Sequence, residues 1–174
     1  MFEFIKRYAL KKHLSEHKVT RDRKVVSLRN AKNIGIVVEI TDEDSYKEIF
    51  AVFSKLQTIS KVQMVGYIDE KMVPFYCLDQ LAADYFCKKD LNWYGKPEMV
   101  QVSDFINTDY DILIDFTRRN LAPIQYMLTL SKAQFIVGGN KENQEFYDLI
   151  IEGTDSHKKL LENIYVYTQK LIGE

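Results

Sequence analysis

Residues 33–40 run Asn33-Ile34-Gly35-Ile36-Val37-Val38-Glu39-Ile40, an almost unbroken apolar stretch rich in β-branched side chains. A strand with one wet face alternates apolar and polar residues, whereas a strand covered on both faces does not. This stretch therefore reads as a central strand with helices on either side. Thr41-Asp42-Glu43-Asp44 follows at once. A hydroxyl able to cap a helix and three acids near its positive end mark a helix start, with Thr41 as the expected cap. Tyr46, Ile49, Phe50, Phe53 and Leu56 then recur at helical spacing. Residues 61–68 (KVQMVGYI) make a second strand, and strand, helix and strand together form a βαβ unit with right-handed crossover.

Working outward, residues 69–71 make a turn. Residues 72–77 and 83–88 read as short antiparallel or edge pieces, and 92–97 (NWYGKP) as a loop. A short helix is expected at 98–106 and a strand at 110–116 (YDILIDF). A well-buried helix beginning near Pro123 and running to about 132 comes next. Residues 134–137 form a strand ended by Gly138-Gly139, and 146–151 (FYDLII) form the last strand. Thr154 or Asp155 caps a final helix carrying Leu160, Leu161, Ile164, Tyr167 and Leu171 on one face. This order predicts an α/β fold: a three-layer, Rossmann-like open sheet, mostly parallel, with helices on both faces and one or two antiparallel or edge strands.

The chain has 174 residues, enough for one core without staples. Residues 33–174 read as a single α/β domain preceded by a basic helix and connector at 1–32. Charge divides the same way: residues 1–32 hold ten Lys/Arg and three Asp/Glu, net +7, and the remainder carries −8. The basic arm suits phosphates, an anionic membrane surface, the chain's own acidic domain or a second subunit, so a homodimer stays open. An acidic domain and few interleaved aromatics speak against nucleic acid. No stretch is apolar enough to span a membrane, and charged residues near the N-terminus interrupt any signal-peptide core. Peripheral membrane contact through residues 2–12 remains an alternative to packing Phe2, Phe4, Ile5 and Tyr8 on this chain or a symmetry mate. Cys77 and Cys87 sit in no CxxC pair, which fits two free thiols in a cytoplasmic protein.

In open α/β sheets ligands bind where strand order reverses, beyond the carboxyl ends of the strands. That rule selects Thr41 to Ser45, Asp69-Glu70, Asp115 to Asn120, and Gly138 to Asn140. The expected ligand-binding set is Thr41, Asp115, Thr117, Arg118, Arg119, Gly138, Gly139 and Asn140. Two guanidiniums before a helix suit a small anionic, phosphate-bearing ligand. The alternative is that Thr117 or Asn120 caps that helix while the arginines pair with Asp104, Asp109 or Asp111. On the binding reading, Arg118 and Arg119 are removable without changing the apo melting temperature. Gly138-Gly139 either admits a ligand to the backbone or forms a turn needing positive φ. No GxGxxG and no P-loop occurs, so no cofactor is implied. His13 and His17 stand four apart without a third ligand, and His157 reads as exposed, so neither a metal site nor a nucleophile–His pair is expected.

The chain resembles a small family of uncharacterised bacterial α/β proteins through Asn92-Trp93-Tyr94-Gly95-Lys96-Pro97 and residues 110–117; that resemblance implies no activity. Residues 110–117, Leu128-Thr129-Leu130-Ser131-Lys132-Ala133 and Phe135-Ile136-Val137-Gly138 also resemble the N-terminal Rossmann-like half of heptosyltransferases. That likeness implies a transferase acting on a phosphorylated substrate, or a fold of that kind kept for binding. The family's glycine-rich first loop is replaced here by Glu39-Ile40-Thr41-Asp42, and there is no room for a second domain.

Overall fold

The computed structural model describes residues 1–78, 80–139 and 145–173. Its elements are α1 (Phe2–Glu16), β1 (Asn33–Glu39), α2 (Glu43–Gln57), β2 (Lys61–Ile68), β3 (Ala83–Cys87), α3 (Val100–Asn107), β4 (Ile112–Asp115), α4 (Ala122–Leu130), β5 (Phe135–Gly139), β6 (Leu149–Ile151) and α5 (His157–Ile172). The six strands form one sheet in the order β3-β2-β1-β4-β5-β6, and every neighbouring pair is parallel. Ile36 lies between Met64 and Ile114, and Leu113 between Gly35 and Ile136. Strand order reverses between β1 and β4, the arrangement of a doubly wound sheet.

Successive side chains of β1 point to opposite faces. Ile34, Ile36 and Val38 join Ile49, Phe53 and Leu56 of α2 and Leu160, Leu161 and Ile164 of α5 in one core. Val37 joins Val65 and Leu113 with Phe105 of α3, Ile124 and Met127 of α4 and Leu10 of α1 in the other. This double coverage is the reason β1 carries no alternation. The helix α1 packs on α4, outside the sheet layers.

Residues 83–87 make an edge strand, as one of the two alternatives has it, and it runs parallel to β2. Two strand expectations change. Residues 72–77 make no strand. Pro74 has no backbone donor, and the segment instead carries the chain back along the sheet so that β3 can start beside β2 in the same direction. Antiparallel pairing among the described residues is confined to the isolated bridges Gln80↔Ala83 and Leu91↔Pro97. The last strand is shorter than 146–151, because Tyr147 turns into the core.

The caps also differ from expectation. Asp42, not Thr41, caps α2, accepting the Ser45 amide at 2.7 Å. Ser156, not Thr154 or Asp155, caps α5. α4 starts after Leu121 with no side-chain cap, so neither Thr117 nor Asn120 has that role.

Residues 17–32 run as a strap across the amino end of the sheet. Lys24 donates its amide to the Gln134 carbonyl at 3.2 Å, and Leu28 to Thr168 Oγ1 at 3.1 Å. Arg21 grips Asp148 through both forks, Nη1 to Oδ2 at 2.8 Å and Nη2 to Oδ1 at 3.2 Å. It also donates to the carbonyls of Ala133 and Phe146. Part of the basic arm thus docks on the chain's own acidic domain. Phe2, Phe4, Ile5 and Tyr8 do not: all four are exposed.

Candidate binding site at the switch point

The crevice lies where β1 ends at Glu39 and β4 ends at Asp115. Beyond β4 the chain passes through Phe116 to Asn120, and Arg119 reaches back across the reversal. Its Nε lies 2.9 and 3.0 Å from the two Glu39 oxygens, and Nη2 also bonds Glu39. The same Nη2 donates to Asp69 Oδ2, beyond β2, at 2.8 Å. Asp69 Oδ1 accepts the Tyr67 hydroxyl at 3.0 Å and pairs with Lys88 Nζ at 3.2 Å. One guanidinium therefore ties together the ends of β4, β1 and β2. Arg119 remains 55% exposed while the Glu39 side chain is buried.

The network shifts its members in consistent directions. Burial pulls the Asp69 carboxyl upward, but hydrogen bonds from Arg119, Lys88 and Tyr67 outweigh it and hold the group below its ordinary value. Burial, then the neighbouring Asp69 charge, push the Tyr67 phenol well up. Hydrogen bonds to Glu39 and Asp69 strengthen the hold of Arg119 on its proton.

Arg118 stands outside this network. It is exposed and bonds the Asp155 carbonyl at the start of the α5 segment. The arginines therefore pair with Glu39 and Asp69 and with a carbonyl, not with Asp104, Asp109 or Asp111. Nearby, the N-terminus of α4 has no side-chain cap and no acid in its first turn. The N-terminus of α2 is different. Asp42 and Ser45 satisfy it reciprocally, and Glu43 and Asp44 follow. Thr41 is exposed there, its amide on Ser45 Oγ and its hydroxyl on Asp42. An anion is repelled at α2 and tolerated at α4.

A second group of expected site residues lies inside the protein. Asp115 and Thr117 are buried, with the Thr117 amide donating to Asp115 Oδ1 at 2.8 Å. The hydroxyls of Thr117 and Tyr147 also donate to Asp115. Burial, then proximity to Asp115, raise the Tyr147 phenol strongly. Gly138 makes this possible, since a Cβ there would lie 2.5 Å from Tyr147 Cε1. Gly138 and Gly139 are strand residues, and neither has positive φ, so the turn reading does not hold. Asn140 lies outside the described residues. The expected set thus divides: Thr41, Arg118 and Arg119 sit on the rim, Asp115, Thr117 and Gly138 form an interior brace, and Gly139 is half-buried at the end of β5.

A model described as a family of unknown function, DUF6913, matches residues 3–171. The chain belongs to that family. The match runs from α1 through α5 and so covers the N-terminal arm as well as the sheet. No curated protein and no solved structure matches the chain. The likeness to heptosyltransferases therefore rests on the quoted residues alone.

Several features of this DUF6913 chain were not legible from residue type. Glu39 is the lone acid in the apolar run 33–40, a signal that a partner must meet it in the interior. His157 is buried, not exposed. Its amide donates to Glu48 Oε1 at 2.7 Å, its Nδ1 stands 3.3 Å from Glu48 Oε2, and its ring meets the edge of Phe116. Burial lowers its basicity against the opposing pull of Glu48. His13 and His17 stack on each other at 4.2 Å, and the Tyr126 ring stacks on His13 at 5.7 Å. Among the described residues no group of three or more His, Cys, Asp and Glu is arranged to hold a metal ion, and no helix is long and apolar enough to cross a membrane. A cavity of about 490 Å³ lies between the strap, α3 and α4, lined by His17, Lys96, Val102, Ile106 and Tyr126 among others, and shares no residue with the rim.

Proposed function

We propose that the chain is a binding module for a small phosphate-bearing anion at the β1/β4 switch point. The observation that carries this reading is Arg119, braced by Glu39 and Asp69 at the reversal yet more than half exposed. A guanidinium fixed by carboxylates has little conformational entropy left to lose when an anion arrives. Arg118, exposed on the same rim, adds a second fork. Asp115 and Thr117 act behind the rim, holding the strand end in place, and do not touch the ligand. Buried unbridged Cys77 and Cys87 suit a reducing cytoplasm as the place of action.

A transferase would need its polar groups to converge in the crevice. Asp115 is committed to Thr117 and Tyr147 while Arg118 turns outward to Asp155, so that alternative gains no support.

The test is a thermal-shift titration with inorganic phosphate, pyrophosphate and ATP. A ligand at about 100 times its Kd adds about 2.7 kcal/mol, or about 5–11 °C for a chain of this size. Arg118→Ala reduces that shift and leaves the apo melt nearly unchanged. Arg119→Ala, by contrast, is expected to lower the apo melt, because buried Glu39 loses its partner. No shift of the wild-type melt with any of the three anions refutes the proposal.

A further inference from the structure

We propose that the outward face of α1 docks on an anionic lipid surface. The helix carries two stripes. Leu10 is buried, and Ala9, His13 and Leu14 are half-buried on the side that packs against α4. On the opposite side Met1, Phe4, Ile5 and Tyr8 follow at i, i+3, i+4 and i+7, one row along the helix. These four are between 47% and 103% exposed, and Phe2 beside them is exposed too.

Scattered apolar side chains on a surface need no explanation, but a contiguous row of large ones does. The surroundings of this row identify its occupant. Arg7, Lys11 and Lys12 are all exposed and line or continue the row. Aromatic and aliphatic side chains flanked by long cationic ones match a helix lying in the plane of a membrane interface. There the apolar row enters the acyl boundary and the cations reach back to lipid phosphates.

The charge division supports the same occupant. Residues 2–16 hold four Lys/Arg and two Asp/Glu, net +2, and residues 33–174 carry −8, so a negative lipid surface attracts α1 and repels the body. Docking therefore turns α1 toward the lipid and the sheet away from it. Neither the row nor its cations take part in the switch-point network, so this inference stands or falls separately from the anion-binding reading.

The full chain is sedimented with vesicles of phosphatidylcholine alone and of phosphatidylcholine and phosphatidylglycerol in equal parts. Binding is expected to the anionic vesicles only, and to weaken as salt rises. The double variant Phe4→Ser/Tyr8→Ser and the charge reversal Lys11→Glu/Lys12→Glu each reduce partitioning at least about tenfold, while circular dichroism and melting temperature stay at wild-type values. Wild-type protein left in the supernatant with anionic vesicles overturns the proposal, as does equal sedimentation of the variants. Light scattering supplies a further check. A dimer that Phe4→Ser/Tyr8→Ser converts to a monomer, with no vesicle binding, would make the row a contact between two copies and also overturn it.

Discussion

Replacing Arg21 by Met tests how the strap is held. The side chains of Arg21 and Asp148 are only 5% and 10% exposed, and Arg21 makes four hydrogen bonds, two of them to Asp148. Met keeps an apolar stem in the channel but removes the charge. Deleting one partner of a buried pair costs about 3–5 kcal/mol, because the other partner stays buried without compensation. Two features place the cost near the lower end. Arg23 Nη1 lies 3.4 Å from Asp148 Oδ1, and the Ile136 amide still donates to Oδ2 at 2.7 Å. About 3 kcal/mol corresponds to a fall of about 6–12 °C in melting temperature for a chain of this length. Calorimetry gives the fall, and urea unfolding gives the free energy. The double variant Arg21→Met/Asp148→Asn then loses less than the sum of the two single changes, with a coupling of about 1 kcal/mol or more. A single variant melting within about 1 °C of wild type, or strictly additive losses, would show that the strap does not depend on this pair.

Gly138→Ala drives a methyl group into the Tyr147 ring and destabilises the fold by about 1–3 kcal/mol, read as a lower urea midpoint; a wild-type midpoint would mean that Tyr147 yields freely. Asp69 makes stability depend on acid. Its folded value lies below the ordinary 3.8, so the unfolded chain binds the extra proton. This contribution is complete above pH of about 4 and disappears as pH falls through the folded value. Asp69→Asn therefore shows a smaller drop in urea midpoint between pH 7 and pH 3 than wild type, and an equal drop would contradict the assignment.

Patterning alone determined the layered α/β sheet and which residues lie beyond the carboxyl ends of its strands. NIGIVVEI at 33–40 has no alternation because both of its faces are covered, and such coverage is legible in residue type. The direction of β3 was not legible, since five residues read the same whichever way the strand runs; the path of residues 69–78 decided it. The roles of the rim residues also lay beyond local reading. Asp115 and Arg118 are three apart in sequence, yet one faces Tyr147 in the core and the other faces solvent. Arg119 finds Glu39 and Asp69 across 80 and 50 positions, and Gly138 is small because a tyrosine nine residues later crosses over it. Periodicity reports which face of an element is buried. Which distant side chains meet across the sheet depends on strand order, and strand order exists only once the chain has folded.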